Sequence, residues 1–283
     1  MGRLAAIASL AARETLRSRS MLIAVLLNLG YLALMAIVGY VLSSDAFAEA
    51  AGELNTPEAR EPVVRLILLI GIGGGSALAL FTGVFASVGA IGNEIERGTI
   101  LAVVARPVSR WEIVIGKFLG NGLLALLYLV IQGLGIGLVM AALSGVWVTD
   151  FLVALALLGI QVLVMVAVAV AGSTRLSMVA NAVAVIVLYL ALTNTALLFL
   201  LGELADSDLL RGAADWSRLA LPVGPVSDLA GVVLLGPVAR MLGQAAGADS
   251  PLPTRDWIWI YALVYLVVVL VLASISLSRR DLR

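Results

Sequence analysis

Six long apolar stretches divide the chain, and polar residues gather almost entirely between them. They run Met21–Leu42, Val64–Ile91, Ile113–Leu143, Phe151–Gly172, Met178–Gly202 and Trp257–Leu277. About 20 apolar residues carry a helix across the hydrocarbon of a bilayer, so the pattern predicts an all-α polytopic membrane protein with six transmembrane helices. The second and third runs exceed that length, which predicts tilt or extension beyond the bilayer. Residues 1–20 follow another pattern. Leu4, Ile7 and Ala11 recur at helical spacing, with Arg3, Arg13, Glu14 and Arg17 mostly elsewhere. That is the signature of a basic amphipathic helix lying in the membrane surface. Residues 203–256 form the longest connection. They are too apolar for disorder and are interrupted by Pro222, Pro225, Pro237, Pro251 and Pro253, which predicts short broken helices before the last span.

Charge orients the bundle. With the N-terminus in the cytoplasm, residues 1–20, 92–117, 173–177 and 278–283 share that side and hold 12 of the 18 basic residues. The other side holds 13 of the 18 acids. Basic residues accumulate on the cytoplasmic side of membrane proteins, so both termini are expected there, in a cell membrane. The 283 residues read as a single transmembrane domain, 1–283.

Composition then removes function classes. The chain has 62% apolar and 13% charged residues, with no cysteine and no histidine. The commonest general base and metal ligand is missing, as are thiolate sites. No Asp, Glu, Lys or Arg sits in the middle of a run, whereas ion-driven transport usually needs one there. Arg65 and Lys117 sit near span ends. Gly116-Lys117 is followed by Phe118, with Trp111 where a P-loop needs its first glycine, so ATP is not bound through that motif. The polar residues within the runs are Asn28, Gln132, Gln161, Asn181 and Asn194. Each admits two roles, a hydrogen bond between helices or a contact in a transport pathway. Gly71/Gly75 and Gly133/Gly137 have the spacing that lets helix backbones approach.

The most informative stretch lies between the second and third runs, from Gly92 to Gly120. Glu94, Glu96 and Arg97 form a charge cluster, Gly98-Thr99 follow, and Ile100–Ala105 are apolar. Arg106-Pro107 break the chain. Ser109 with Glu112 three residues on has capping-box spacing and starts the next helix. An apolar patch rimmed by both signs of charge suits a docking surface; a loop lying on lipid would show the same pattern.

The elements Glu94-x-Glu96-Arg97-Gly98-Thr99, Pro107-Val108-Ser109-Arg110 and Gly116-Lys117, together with the six-run layout, the basic N-terminal helix and the C-terminal Arg279-Arg280-Asp281-Leu282, resemble the ABC type-2 permease family. The resemblance covers nearly the whole chain. It implies a membrane subunit of an ATP-driven exporter that is not itself an enzyme. Such subunits pair as dimers and bind cytoplasmic ABC ATPase subunits that hold ATP and Mg. It further implies that residues 92–112 are the coupling element, with Glu94, Glu96, Arg97, Gly98, Thr99, Arg106, Pro107, Ser109 and Arg110 contacting the ATPase. A non-transporting membrane scaffold that anchors or assembles a partner complex predicts the same spans and the same loop; an extracytoplasmic partner is a further candidate.

Overall fold

A computed structural model describes residues 2–44, 56–92, 109–193, 204–209, 212, 216, 221–239 and 257–279. Eight helices of 13 residues or more organise the described chain: α1 (Gly2–Leu16), α2 (Arg19–Ser43), α3 (Pro57–Ser87), α4 (Arg110–Ser144), α5 (Phe151–Ser173), α6 (Met178–Thr193), α7 (Val223–Leu235) and α8 (Ile258–Ser278). Five are long and apolar enough to cross a membrane: α2 and α8, the bulk of α3, and the whole of α4 and α5. They match the first four predicted runs and the last. The fifth predicted run is helical from Met178 to Thr193, and its continuation to Gly202 lies outside the described residues. The protein is therefore an all-helical, multi-pass membrane protein.

The helix ends follow local chemistry. Ser18 caps α2, its hydroxyl accepting from the Met21 N–H at 3.2 Å. Ser109 and Glu112 form the expected capping box at the start of α4, with the Ser109 N–H donating to Glu112 Oε2 at 2.8 Å. Gly145 ends α4 at φ +72, the left-handed conformation that glycine adopts without a Cβ penalty. In the connection before the last span, Pro222 opens the 13-residue α7 and Gly236 closes it. Pro225 falls in its first turn, where a missing N–H costs nothing. With 35 residues and a rise of about 1.5 Å per residue, α4 is about 52 Å long and overshoots a hydrocarbon core of about 30 Å. Its charged residues, Arg110, Glu112 and Lys117, all lie in its first turns.

α5 is the central helix, with 67% of its most apolar stretch buried, against 11% for α2 and 17% for α8 at the periphery. Lipid is as apolar as leucine, so nothing like the hydrophobic effect drives these helices together, and close approach must do so. The glycines provide it. Gly133 and Gly137 of α4 seat Leu155 and the Phe151 ring of α5. Gly71 of α3 faces Ile136 and Met35, and Gly83 lies between Ala125 and Val166. The small-residue spacing thus marks helix contacts, and α3, α4 and α5 form the core on which the others lean.

Candidate functional site

The residues that flank the predicted coupling loop lie at one end of the bundle, in a polar platform. α4 begins there, and its first residue, Arg110, reaches the end of α8. Its guanidinium donates to the carbonyls of Leu277 at 2.7 Å and Ser278 at 3.1 Å. The last carbonyls of a helix have no intrahelical donors and carry the negative end of its dipole, so a cation is the fitting partner. Arg175, in the turn between α5 and α6, grips the same helix end. Its Nε donates to Ser276 Oγ at 2.9 Å, and Thr174 Oγ1 lies 3.0 Å from that hydroxyl. At the exit of α3, Gly92 lies close against the carbonyls of Ser173 and Leu176 in the same turn; an added Cβ would stand 3.3 and 3.4 Å from them.

α1 closes the platform. It crosses α4 over two glycines, where Cβ atoms at Gly116 and Gly120 would come within 2.6 Å of Ile7 and 2.5 Å of the Ala8 carbonyl. The face expected to be apolar is the one that packs: Ala11 is buried, Leu4 and Ile7 are half-buried. Glu14 lies 3.6 Å from the buried Lys117 ammonium. Thr15 Oγ1 donates to Asn121 Oδ1 at 3.3 Å, while Asn121 Nδ2 donates to the Ala86 carbonyl at 3.0 Å and Ser87 Oγ at 3.2 Å. α1, α3 and α4 are thereby joined by one chain of hydrogen bonds. Asn181 of α6 extends it, donating to the carbonyls of Val88 at 3.0 Å and Ala169 at 2.8 Å.

The sequence of ABC-2 family transporter proteins, taken as a family profile, matches residues 5–282. The chain belongs to the ABC-2 transporter family. A comparison with curated proteins returned no match. Membrane permeases of this family lack the ATPase domain, and membership implies a partnering ATPase subunit.

Of the residues expected to contact that subunit, the structure places Ser109 and Arg110 in this ABC-2 permease. Glu94, Glu96, Arg97, Gly98, Thr99, Arg106 and Pro107 lie outside the described residues. Ser109 is committed to the helix cap and Arg110 to the end of α8. The reading of isolated motifs missed Asn121, Arg175 and Ser276. Their one signal was polarity within or beside an apolar run.

At the opposite end of the permease a second cluster forms around Arg65, which is 7% exposed. Its Nε pairs with Glu61 Oε1 at 2.8 Å, and one terminal nitrogen lies 3.1 Å from Asp150 Oδ2 and 2.6 Å from the Leu234 carbonyl. One arginine thus ties α3 to the α4–α5 turn and to the last turn of α7. Gly236 follows at φ +52, where a Cβ would stand 3.1 Å from Arg65.

Within the apolar layer, the predicted polar residues divide. Asn181 binds helices together, as described. Gln132 is wholly buried against Gly75 of α3, and neither its amide oxygen nor its nitrogen has a hydrogen-bond partner among the described residues. Gln161 Oε1 and Asn28 Oδ1 are also buried and unpartnered there. Asn194 lies outside the described residues.

Proposed function

We propose that this permease is the transmembrane half of an ATP-driven exporter in the cell membrane. Two copies form the pathway, and a separate ABC ATPase docks on each from the cytoplasm. The N-terminus, the C-terminus and the 92–112 loop share that side, a reading supported by the distribution of basic residues. The loop is the coupling element, with Glu94, Glu96, Arg97, Gly98, Thr99, Arg106 and Pro107 forming its contact surface. The nucleotide and its Mg belong to the partner. This chain contributes a seat for it and a way to convert its movement into movement of helices.

The observation that supports this reading best is the pair of bonds from Arg110 to Leu277 and Ser278. The loop emerges from Gly92 and re-enters at Ser109, so a push on it acts on the end of α3 and the start of α4. Through Arg110 it also acts on the end of α8, and the Arg175 turn adds the start of α6. A docking loop anchored this way moves four helix ends together. α1, strapped across α4, lies at the same end in the membrane surface. Gln132, Gln161 and Asn28, with buried unpartnered amide atoms in an otherwise apolar bundle, would meet cargo only as the helices part.

The test is assembly and turnover. The chain is purified with its candidate ATPase and compared with Glu96→Gln/Arg97→Gln. Loss of the complex and of permease-stimulated ATP hydrolysis is expected. If both persist unchanged, the loop is not the coupling element. Arg110→Gln should separate the two readouts, leaving the complex intact and lowering stimulated hydrolysis.

A further inference from the structure

Between α1, α2, α3 and α4, at the end of the bundle where α1 lies, is a cavity of about 280 Å³. Met21, Ala24 and Leu27 of α2 form one wall, and Leu78, Phe81 and Ala86 of α3 another. Thr15, Thr82 and Tyr128 also border it, but their hydroxyl protons are already spent. Thr15 donates to Asn121 at 3.3 Å, Thr82 to the Leu78 carbonyl at 2.8 Å, and Tyr128 to the Ala24 carbonyl at 2.8 Å. The space therefore offers hydrocarbon and no unsatisfied donor, and apolar cavities of this kind do not hold water. Left empty, its lining would lose dispersion contacts. The cavity opens sideways: Ile23, Leu27 and Phe85 on its rim are 58%, 54% and 48% exposed, on helices whose outer faces meet lipid.

We propose that this cavity is a binding site for one acyl chain of an anionic phospholipid drawn from the leaflet at the α1 end. Its volume is just below the ~300 Å³ lower bound of small-molecule pockets, which suits a single chain. Depth agrees, because Met21–Leu27 covers only the first turns of α2, about 9 Å along the axis. Charge selects the headgroup. Arg17 lies in the turn between Thr15 and Met21, both on the cavity wall, and it and Arg13 are exposed. Arginines at that level favour a negative lipid surface. The lipid would fill the gap between the strap α1 and the first turns of α2, the least buried of the spans.

Photolabelling tests this with the full-length chain in phosphatidylcholine nanodiscs. They are doped with phosphatidylglycerol or phosphatidylcholine carrying a diazirine on one acyl chain. The phosphatidylglycerol probe should label the peptides holding Met21–Leu27 and Leu78–Ala86 well above the exposed Ile131, Leu134 and Leu138 of α4, and above the phosphatidylcholine probe. Ala24→Phe, which fills the cavity, should abolish the excess. Arg17→Gln is exposed and leaves the core untouched. It should lower the preference for phosphatidylglycerol, by up to about fivefold for one arginine near the surface. Equal labelling of the cavity residues and these α4 residues would mean annular lipid only and overturn the site. Equal labelling by the two probes, or an unchanged preference in Arg17→Gln, would overturn the anionic selection.

Discussion

Replacing Gln132 with methionine should make this protein more stable. The residue is wholly buried between α4 and α3, Gly75 closes on it, and neither polar atom of the amide has a partner among the described residues. An unpaired buried amide costs about 1–3 kcal/mol judged from protein mutants, and more against hydrocarbon. Methionine keeps the unbranched shape and similar helix propensity and removes the polar atoms. A gain of about 1–3 kcal/mol is expected. If the amide were paired instead, its loss would cost roughly 0.6 kcal/mol, the average for hydrogen bonds between membrane helices. The two cases differ in sign. Reversible unfolding in dodecyl maltoside micelles with increasing sodium dodecyl sulfate reads the difference as a shift in midpoint. Asn181→Leu is the internal control. Its Nδ2 has two carbonyl partners, so its loss should destabilise by about 1–2 kcal/mol. A Gln132→Met protein that unfolds at equal or lower detergent fraction than the parent would refute the reasoning. If Gln132 also serves the pathway, the stabilised protein should export more slowly than the parent.

Arg65→Gln should destabilise by about 1.5–3 kcal/mol, the range for a hydrogen bond to a charged group, because Glu61, Asp150 and the α7 terminus lose their common partner. Thermolysin cleavage between residues 221 and 239 should accelerate, and an unchanged rate would mean that α7 is held by apolar packing alone. Gly120→Leu should lift α1 off α4, since even a Cβ would stand 2.5 Å from the Ala8 carbonyl; overpacking of this kind costs about 1–3 kcal/mol. Faster tryptic cleavage at Arg13 and Arg17 would report it. Arg175→Gln should resemble Arg110→Gln in lowering stimulated ATP hydrolysis with the complex preserved, because both arginines hold the end of α8. Loss of the complex itself would show that Arg175 meets the partner.

Much of this protein could be read along the chain. The length of each apolar run depends on consecutive residues, so the five long spans were visible without coordinates. The Ser109–Glu112 cap involves neighbours three apart, and it forms as the spacing predicts. The face of α1 was legible from its 3.6-residue period, though not the helix it would meet.

Partner choice belonged to the tertiary structure. Arg110 looked like part of a docking motif, yet its bonds run to residues 167 and 168 positions away. Arg65 could be placed only near a span end, and the fold joins it to groups 85 and 169 positions away. Asn181 and Gln132 were equivalent as buried amides in apolar runs, and only the fold gave one two carbonyls and the other none. The reason is physical. Crossing a bilayer requires only that each helix be apolar, and hydropathy is nearly the same facing lipid or protein. Which faces meet is decided by glycine seats and a few polar bonds between distant segments, and those exist only once the helices are side by side.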